Sequence, residues 1–278
     1  MLYLVGTPIG NMGDISERAR EVLASADLIA CEDTRRTGIL LKNLGITNKL
    51  FAYHEHNKAA KGPVLISRLK QGETVCLVSD AGMPSISDPG EDLVKLCIAE
   101  GVDVSTVPGP VAAITALVLS GLDTRRYHYE GFLPSENSER KKRLEALKDI
   151  RETIIIYEAP HRLAKLIDEL MQFGFASSRA AFCRELTKKY EQVIRCSVAE
   201  AKEYYAKTEP KGEFVVCLEP VPEEKPEEID IDALIARFLD EGMSTKETAA
   251  KIAGMTGLGK KDVYERVIKY RTDGNYYS

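Results

Sequence analysis

The chain has no tryptophan, and only four of its 278 residues are histidine. No Cys-x-x-Cys pair occurs, and His54 and His56 have no cysteine partners at zinc spacing, so no metal site is expected. No apolar run approaches the ~20 residues that a membrane span needs. The opening stretch, MLYLVGTPIGNMGDISERAR, lacks a basic n-region and a long apolar segment, so no signal peptide is expected and the chain is expected to be cytoplasmic. Walker and Gly-x-Gly-x-x-Gly loops are both missing, which excludes the commonest nucleotide-binding motifs. An excess of positive charge is missing too. The net charge is −5, and the segment Glu223–Asp232 (EEKPEEIDID), with six acids and one lysine, accounts for all of it. The neutral remainder excludes attraction of nucleic acid by bulk charge, so any RNA contact must use local basic clusters.

What is present is organised around Thr74–Gly90, TVCLVSDAGMPSISDPG. Thr74–Val78 reads as a strand buried on both faces, as in a parallel sheet. Asp88-Pro89-Gly90-Glu91 reads as a helix start, with Asp88 as the cap and Pro89 in the first turn. The connection between them, Ser79–Ser87, is long for its kind, and such loops are usually functional. In an open α/β sheet it sits at the carboxyl end of a strand, where ligands bind.

The rest of the chain supports that frame. Strands are expected at Leu2–Val5, Asp27–Cys31, Lys49–Tyr53 and Val102–Val107, alternating with a helix that opens near Asp14, a short helix that runs to Leu44 after Glu32–Thr37, and helices that follow Asp88 and Pro110. Gly121–Glu130 loses this periodicity and reads as a linker. A second α/β unit follows, with helices at Arg140–Leu147 and Arg162–Phe173 and strands at Thr153–Tyr157, Ala180–Arg184, Gln192–Cys196 and Glu213–Leu218. Its sheet is expected to be mixed. The acidic stretch has a linker's composition, and beyond it three short helices are expected at Ala233–Asp240, Thr245–Ala253 and Lys261–Tyr270. These form either a helix–turn–helix-like module or a plain helical appendage. The expected fold class is α/β: a parallel-sheet domain over 1–120, a mixed-sheet domain over 121–222 and a helical module over 231–278. Five cysteines, Cys31, Cys76, Cys97, Cys183 and Cys217, lie in apolar runs and read as buried thiols.

Each loop alone is an ordinary turn. VGTPIGN is not a dinucleotide fingerprint, and Pro84 in DAGMP removes the amide that a second glycine of an Asp-x-Gly-x-Gly loop would present. Taken together, the loops are specific. VGTPIGN at residue 5, CEDTRRT at 31, YHEHN at 53, SDAGMPSISDPG at 79, VPGP at 107, GFLP at 131, YEAPHRL at 157, RELTKKYE at 184 and KGEF at 211 follow one family in order and spacing. The chain closely resembles the bacterial 2′-O-ribose methyltransferases of small-subunit ribosomal RNA that act on a decoding-centre cytidine, within the tetrapyrrole methylase superfamily.

That resemblance implies S-adenosylmethionine held in a cleft between two α/β domains, largely by backbone groups. The implied cofactor contacts are Pro8, then Gly82, Met83, Ser85 and Ile86, then Val111 and Ala112, and from the second domain Tyr157, Gly212 and Glu213. It also implies a homodimer. A ribose hydroxyl is a poor nucleophile when neutral, so a base would help. Glu185, Lys188 and Asp33 are the candidates, against a purely structural pairing of the two acids with neighbouring arginines. Candidate RNA contacts are Arg35, Arg36, His54, Asn57, Arg184, Lys189, Lys260 and Lys261, and the expected substrate is ribosomal RNA within the assembled small subunit. Two rivals remain at this point: a tetrapyrrole methyltransferase of the same fold, and a non-catalytic ribosome assembly factor.

Overall fold

A computed structural model describes residues 1–221 and 230–272. These fall into two units that divide after Pro222.

The first unit carries two sheets. Strands β1 (Leu2–Val5), β2 (Leu28–Cys31), β3 (Leu50–Ala52), β4 (Val75–Val78) and β5 (Val104–Val107) are all parallel, in the order β3-β2-β4-β1-β5. β2 and β4 are buried at every position. Their side chains alternate between two cores. Leu28, Ala30, Val75 and Leu77 point to one face, while Ile29, Cys31, Cys76 and Val78 point to the other. Helices α1 (Glu17–Ser25) and α2 (Thr34–Leu44) cover the second face through Leu23 and Leu41; α3 (Lys58–Lys70) and α4 (Glu91–Ala99) cover the first through Leu65 and Leu93. A fifth helix, α5 (Ala112–Ser120), leaves this sheet and packs Ala116 and Leu117 against Ile155, Ala181 and Val215 of the second.

That second sheet contains β6 (Tyr127–Phe132), β7 (Thr153–Glu158), β8 (Arg179–Arg184), β9 (Gln192–Ser197) and β10 (Phe214–Leu218), in the order β6-β7-β10-β8-β9. Only β6 and β7 pair in parallel, so the sheet is mixed, as its sequence suggests. Its outer face is covered by α6 (Asn137–Leu147), α7 (Pro160–Gln172) and α8 (Val198–Tyr205) through Leu144, Leu163, Leu166 and Val198. The second unit is a separate three-helix core of α9 (Ile231–Asp240), α10 (Thr245–Thr256) and α11 (Lys260–Thr272), closed by Ile235, Phe238, Ile252, Val263 and Val267.

Several local expectations need correction. Asp88 does not cap α4. That helix starts at Glu91 with Gly90 as its cap residue and no side-chain cap bond, so it forgoes a contact typically contributing about 1 kcal/mol. The expected linker at 121–130 contains the first four of the six residues of β6, whose alternation is hidden because they run Tyr-His-Tyr-Glu. Asp230, Ile231 and Asp232 of the acidic stretch belong to α9, where Asp230 accepts bonds from the amides of Asp232 and Ala233; residues 223–229 lie outside the described residues. Helices α3 and α8 are absent from the sequence reading. Gly62-Pro63 looks like a breaker, yet Gly62 sits inside α3 because an added Cβ there would lie 2.9 Å from Leu96 of α4. Among the described residues, no helix is long and apolar enough to cross a membrane, and no group of three or more His, Cys, Asp or Glu could hold a metal ion. All six cysteines are free thiols, and only Cys196 is not fully buried.

Candidate active site

Strand order decides where the site forms. With β2, β4, β1 and β5 adjacent and parallel, the loops at their carboxyl ends lie side by side. The loop after β1 is stitched to the loop after β4 by a two-residue bridge: Thr7 N–H donates to Gly82 O at 2.9 Å, and Gly82 N–H donates to Thr7 O at 3.1 Å. The Thr7 hydroxyl donates to the carbonyls of Ser79 and Gly82, both at 3.3 Å. The loop after β1 also touches the loop after β5. A Cβ added to Gly6 would lie 2.6 Å from Gly109 Cα and 2.7 Å from Met83 Sδ. Three loops therefore meet at backbone distance, which only glycine allows.

They enclose one side of a cavity of about 420 Å³. From the other side come Phe132, Tyr157 and Glu158 at the ends of β6 and β7, Leu186 after β8, and Glu213 and Phe214 at the start of β10. Tyr157 ties β7 to the start of α5, its hydroxyl accepting the backbone N–H of Ala113 at 3.0 Å. Its ring packs edge-on against Tyr129 and Phe132, with centroids 5.5 and 5.4 Å away. Burial, then the neighbouring Tyr129, pushes the Tyr157 phenol well above its usual range, so it stays neutral.

The polar wall of the cavity is acidic. Glu32 after β2 and Asp80 and Asp88 in the loop after β4 all line it. Burial raises the Asp88 carboxyl to about 6, with the charges of Glu32 and Asp80 adding to the effect and a hydrogen bond from Ser79 opposing it. Glu32 is raised as well, by burial first and then by Asp80, against the charges of Arg36 and His54. Arg36 pairs with Asp80 at 3.2 Å. Glu32, Arg36 and Asp80 also line a second, more open hollow with Asp33, Arg35, His54 and His56. In that hollow Asn57 clamps His54. Its side-chain oxygen accepts the His54 N–H at 2.9 Å and its amide nitrogen lies 3.0 Å from the ring Nε2.

Residues 1–202 match the model of the Tetrapyrrole (Corrin/Porphyrin) Methylases, and residues 225–270 match that of the RsmI C-terminal HTH domain. Among curated proteins, the chain is 43% identical to the Ribosomal RNA small subunit methyltransferase I of Mesorhizobium japonicum, over 97% of this chain and 92% of that protein. It is also 43% identical to the protein of the same name from Halalkalibacterium halodurans, over 95% of this chain and 93% of that one. The chain belongs to the ribosomal RNA small subunit methyltransferase I family. Its fold is shared with uroporphyrin-III C-methyltransferase from Thermus thermophilus, solved in complex with S-adenyl homocysteine. The TM-score is 0.55 at 18% identity, over 79% of this chain and 97% of that one.

Seven of the ten cofactor positions expected from the family line the cavity: Gly82, Met83, Ile86, Val111, Ala112, Tyr157 and Glu213. Pro8, Ser85 and Gly212 are not part of that lining. Gly82 is required for its backbone (φ +84°) more than for space, since a Cβ there would meet Ile9 and Pro110 O no closer than 3.4 Å. Crowding falls on Gly6 and Gly109 instead.

The three expected bases are engaged elsewhere. Two hydrogen bonds from Arg35, 3.1 Å from Nε and 2.7 Å from Nη2, hold Asp33 far below the usual carboxylate range, in the open hollow. Lys188 Nζ bridges Glu185 at 2.9 Å and Glu213 at 2.8 Å. Burial pulls its ammonium down, but hydrogen bonds to Glu213 and Glu185 outweigh this and leave it raised, hence protonated. Glu185 is likewise disfavoured by burial, yet bonds from Lys188 and the Glu213 N–H leave its carboxyl below the ordinary value. Of the expected RNA contacts, Arg35, Arg36 and His54 line the hollow, with Asn57 behind His54. Arg184 donates to Lys211 O at 2.6 Å, and Lys189 lies 5.6 Å from the ring of Tyr190. Lys260 and Lys261 open α11 in the second unit. Glu32, Asp80 and Asp88, which line the cavity, are not singled out as site residues by the sequence; the available signal is the two acids within the one long loop, Asp80 near its start and Asp88 at its end, the latter read as a helix cap.

Proposed function

We propose that this protein transfers the methyl group of S-adenosylmethionine to the 2′-hydroxyl of a cytidine ribose in small-subunit ribosomal RNA. The observation that carries the reading is the joining of two cavities: a deeper one with apolar and acidic walls, and a more open one where Arg35, Arg36, His54 and His56 stand among Asp33, Glu55 and the shared Glu32 and Asp80, Arg36 being shared as well. The deeper cavity suits the cofactor. Its apolar walls (Met83, Ile86, Val111, Phe132) accommodate an adenosine, while its carboxylates favour a ligand with cationic sulfonium and ammonium groups. Residues 1–120 and 121–222 would act as the two domains that hold it. Gly82, Met83, Val111 and Ala112 would do so largely by backbone, with Tyr157 and Glu213 opposite; Pro8, Ser85 and Gly212 would shape those loops from behind. S-adenosylmethionine supplies an activated methyl group on a sulfonium centre. The protein's share is to align the hydroxyl, exclude water and accept a proton.

In the open hollow, Arg35, Arg36 and His54 would meet RNA phosphate and base, with Asn57 fixing the ring. Arg184, Lys189, Lys260 and Lys261 would contact other phosphates. Separated clusters on a neutral chain suit a rigid, pre-shaped RNA surface, because a flexible RNA loses more freedom in meeting all of them. The assembled small subunit is therefore the expected substrate, and the cytoplasm the expected compartment. Labelled methyl transfer to purified small subunits, with the nucleotide mapped by digestion and mass spectrometry, tests the reading. Label on a base or protein, or none, refutes it. Removing residues 231–278 is expected to weaken small-subunit binding at least tenfold, roughly the 1.4 kcal/mol expected from losing a few phosphate contacts. Cofactor affinity, measured by calorimetry, should stay unchanged.

The homodimer is supported by α5. Apart from Thr115 and Ser120 it is apolar; one face packs on the second sheet, yet Val118 is 66% exposed and Ile114 38%. A helix so apolar is normally buried on every side, and a second copy would cover this one. Val118→Asp is expected to leave a species near 30.8 kDa in sedimentation where the wild type runs at twice that mass. A wild type that runs as a monomer at micromolar concentration contradicts the dimer.

A further inference from the structure

We infer that Asp88 is the general base that takes the proton from the ribose 2′-hydroxyl; this rests on the function proposed above. Its place in the fold is the first argument. In sequence Asp88 is the natural cap of α4, but the helix starts three residues later, at Glu91, and Asp88 lines the cavity instead. The loop is held in a demanding conformation to achieve this. Ser85 (φ 72°) and Ser87 (φ 62°) both occupy the left-handed region that non-glycine residues rarely adopt. The Ser87 hydroxyl lies 2.5 Å from the Tyr129 hydroxyl, which ties the loop to the second sheet. Such over-determined strain clusters at functional sites.

The second argument is what surrounds the carboxyl. Glu32 approaches from the end of β2, Ser79 and Asp80 from the end of β4, and Tyr157 from β7. Among the described residues no lysine, arginine or histidine forms an ion pair with Asp88, whereas Asp33, Asp80 and Glu185 are paired with Arg35, Arg36 and Lys188. Glu32 shares the wall but feels the opposing charges of Arg36 and His54. Asp88 thus faces the cavity without an ion-pair partner, with burial and two neighbouring acids raising its basicity while it remains ionised at neutral pH, the compromise a general base requires. In the step, the ribose O–H bond breaks and its proton passes to a carboxylate oxygen of Asp88. The oxygen's electron pair forms the new C–O bond as the methyl–sulfur bond breaks. That bond's electrons stay on sulfur, leaving a neutral thioether, and Asp88 later releases its proton to solvent.

The test compares wild type, Asp88→Asn, Asp88→Glu and Glu32→Gln. With assembled small subunits and labelled cofactor, Asp88→Asn should lose about 10²–10⁴-fold in turnover. Asp88→Glu should recover part of this, and the rise of wild-type rate with pH should be centred near 6. Glu32→Gln, which removes a neighbouring negative charge, should move that rise to lower pH. Two readouts need no turnover. Cofactor affinity of Asp88→Asn by calorimetry should fall far less than turnover, by no more than about tenfold, as expected from losing one of several wall carboxylates. Thermal stability of the ligand-free protein should show the carboxyl's cost. Its folded value of about 6 lies above the ordinary 3.8, so wild type loses stability relative to Asp88→Asn as pH rises from 4 to 7, and the variant's melting advantage should grow across that window. Turnover of Asp88→Asn within threefold of wild type, a loss wholly explained by weaker cofactor binding, or a melting difference that is flat from pH 4 to 7 overturns the assignment. Wild type that methylates no ribose overturns the proposed function, and the base with it.

Discussion

Arg140→Met is expected to destabilise the protein by about 3–5 kcal/mol, the cost of leaving buried charges without their partner. Arg140 lies in α6, a helix whose sequence, NSERKKRLEAL, reads as a solvated charged face. The structure buries it almost completely. Arg140 Nη2 donates to Glu158 at 3.0 Å and Nε to Glu169 at 2.7 Å, with the side chains of Arg140 and Glu158 each only 1% exposed. Methionine fills much of the volume but strands the Glu158 carboxylate, which keeps only Arg162 at 3.2 Å and the Ala159 N–H at 3.0 Å. The melting temperature should fall by about 6–20 °C. The double variant Arg140→Met/Glu158→Gln removes the stranded charge and should regain about 1–2 kcal/mol of the loss. If the single variant melts within 2 °C of wild type, or the second change makes matters worse, the network is not what holds α6 to β7. Because Glu158 lines the cavity beside Tyr157, a confirmed loss would also place the ion network behind the second-sheet wall of the site.

Why α6 misleads is instructive for the whole fold. Buried parallel strands announce themselves, because every position of β2 and β4 must be apolar when helices cover both faces. Edge elements do not. β6 is partly exposed along its length and shows no clean alternation, and α3 carries a proline that would ordinarily mark a helix end. Burial of Arg140 is invisible in sequence because it depends on Glu158 and Glu169, which lie on two other elements and 18 and 29 residues away.

The site divides in the same way. Loops that follow central strands could be read from their small residues and fixed order, and seven of the expected cofactor positions do line one cavity. What sequence could not supply is the pairing state of each charge. Glu185, Lys188 and Asp33 look reactive one at a time. Arg35 pairs with Asp33 from two residues away, the local pairing that sequence already offered, and Lys188 with Glu185 from three; only the second partner of Lys188, Glu213, 25 residues beyond it, is brought near by the fold. Asp88 looks structural for the opposite reason: a local capping motif is fully satisfied in sequence and set aside in the fold.

Gly6→Ala is expected to lower S-adenosylmethionine affinity by about 100-fold, roughly 2.8 kcal/mol, which lies within the usual cost of forcing a methyl group into a packed site. The new Cβ would lie 2.6 Å from Gly109 Cα and 2.7 Å from Gly109 N, backbone atoms that cannot rotate away, and 2.7 Å from Met83 Sδ. Relief requires the loop after β5 to withdraw from the loop after β1. That movement shifts Val111 and Ala112 at the start of α5, and with them the Ala113 N–H that Tyr157 accepts at 3.0 Å. Both walls of the cavity are displaced by one methyl group, while the sheet beneath keeps its own hydrogen bonds. Circular dichroism should accordingly be unchanged, with the loss seen by calorimetry. Gly82→Ala provides the contrast. There the neighbours stand at 3.4 Å and the cost is the positive φ alone, about 1–2 kcal/mol, so the loss of affinity should be smaller than at Gly6. A Gly6→Ala protein that binds the cofactor as wild type does, or binds it better than Gly82→Ala, would mean that the contact between the first and third loops does not shape the cofactor cavity.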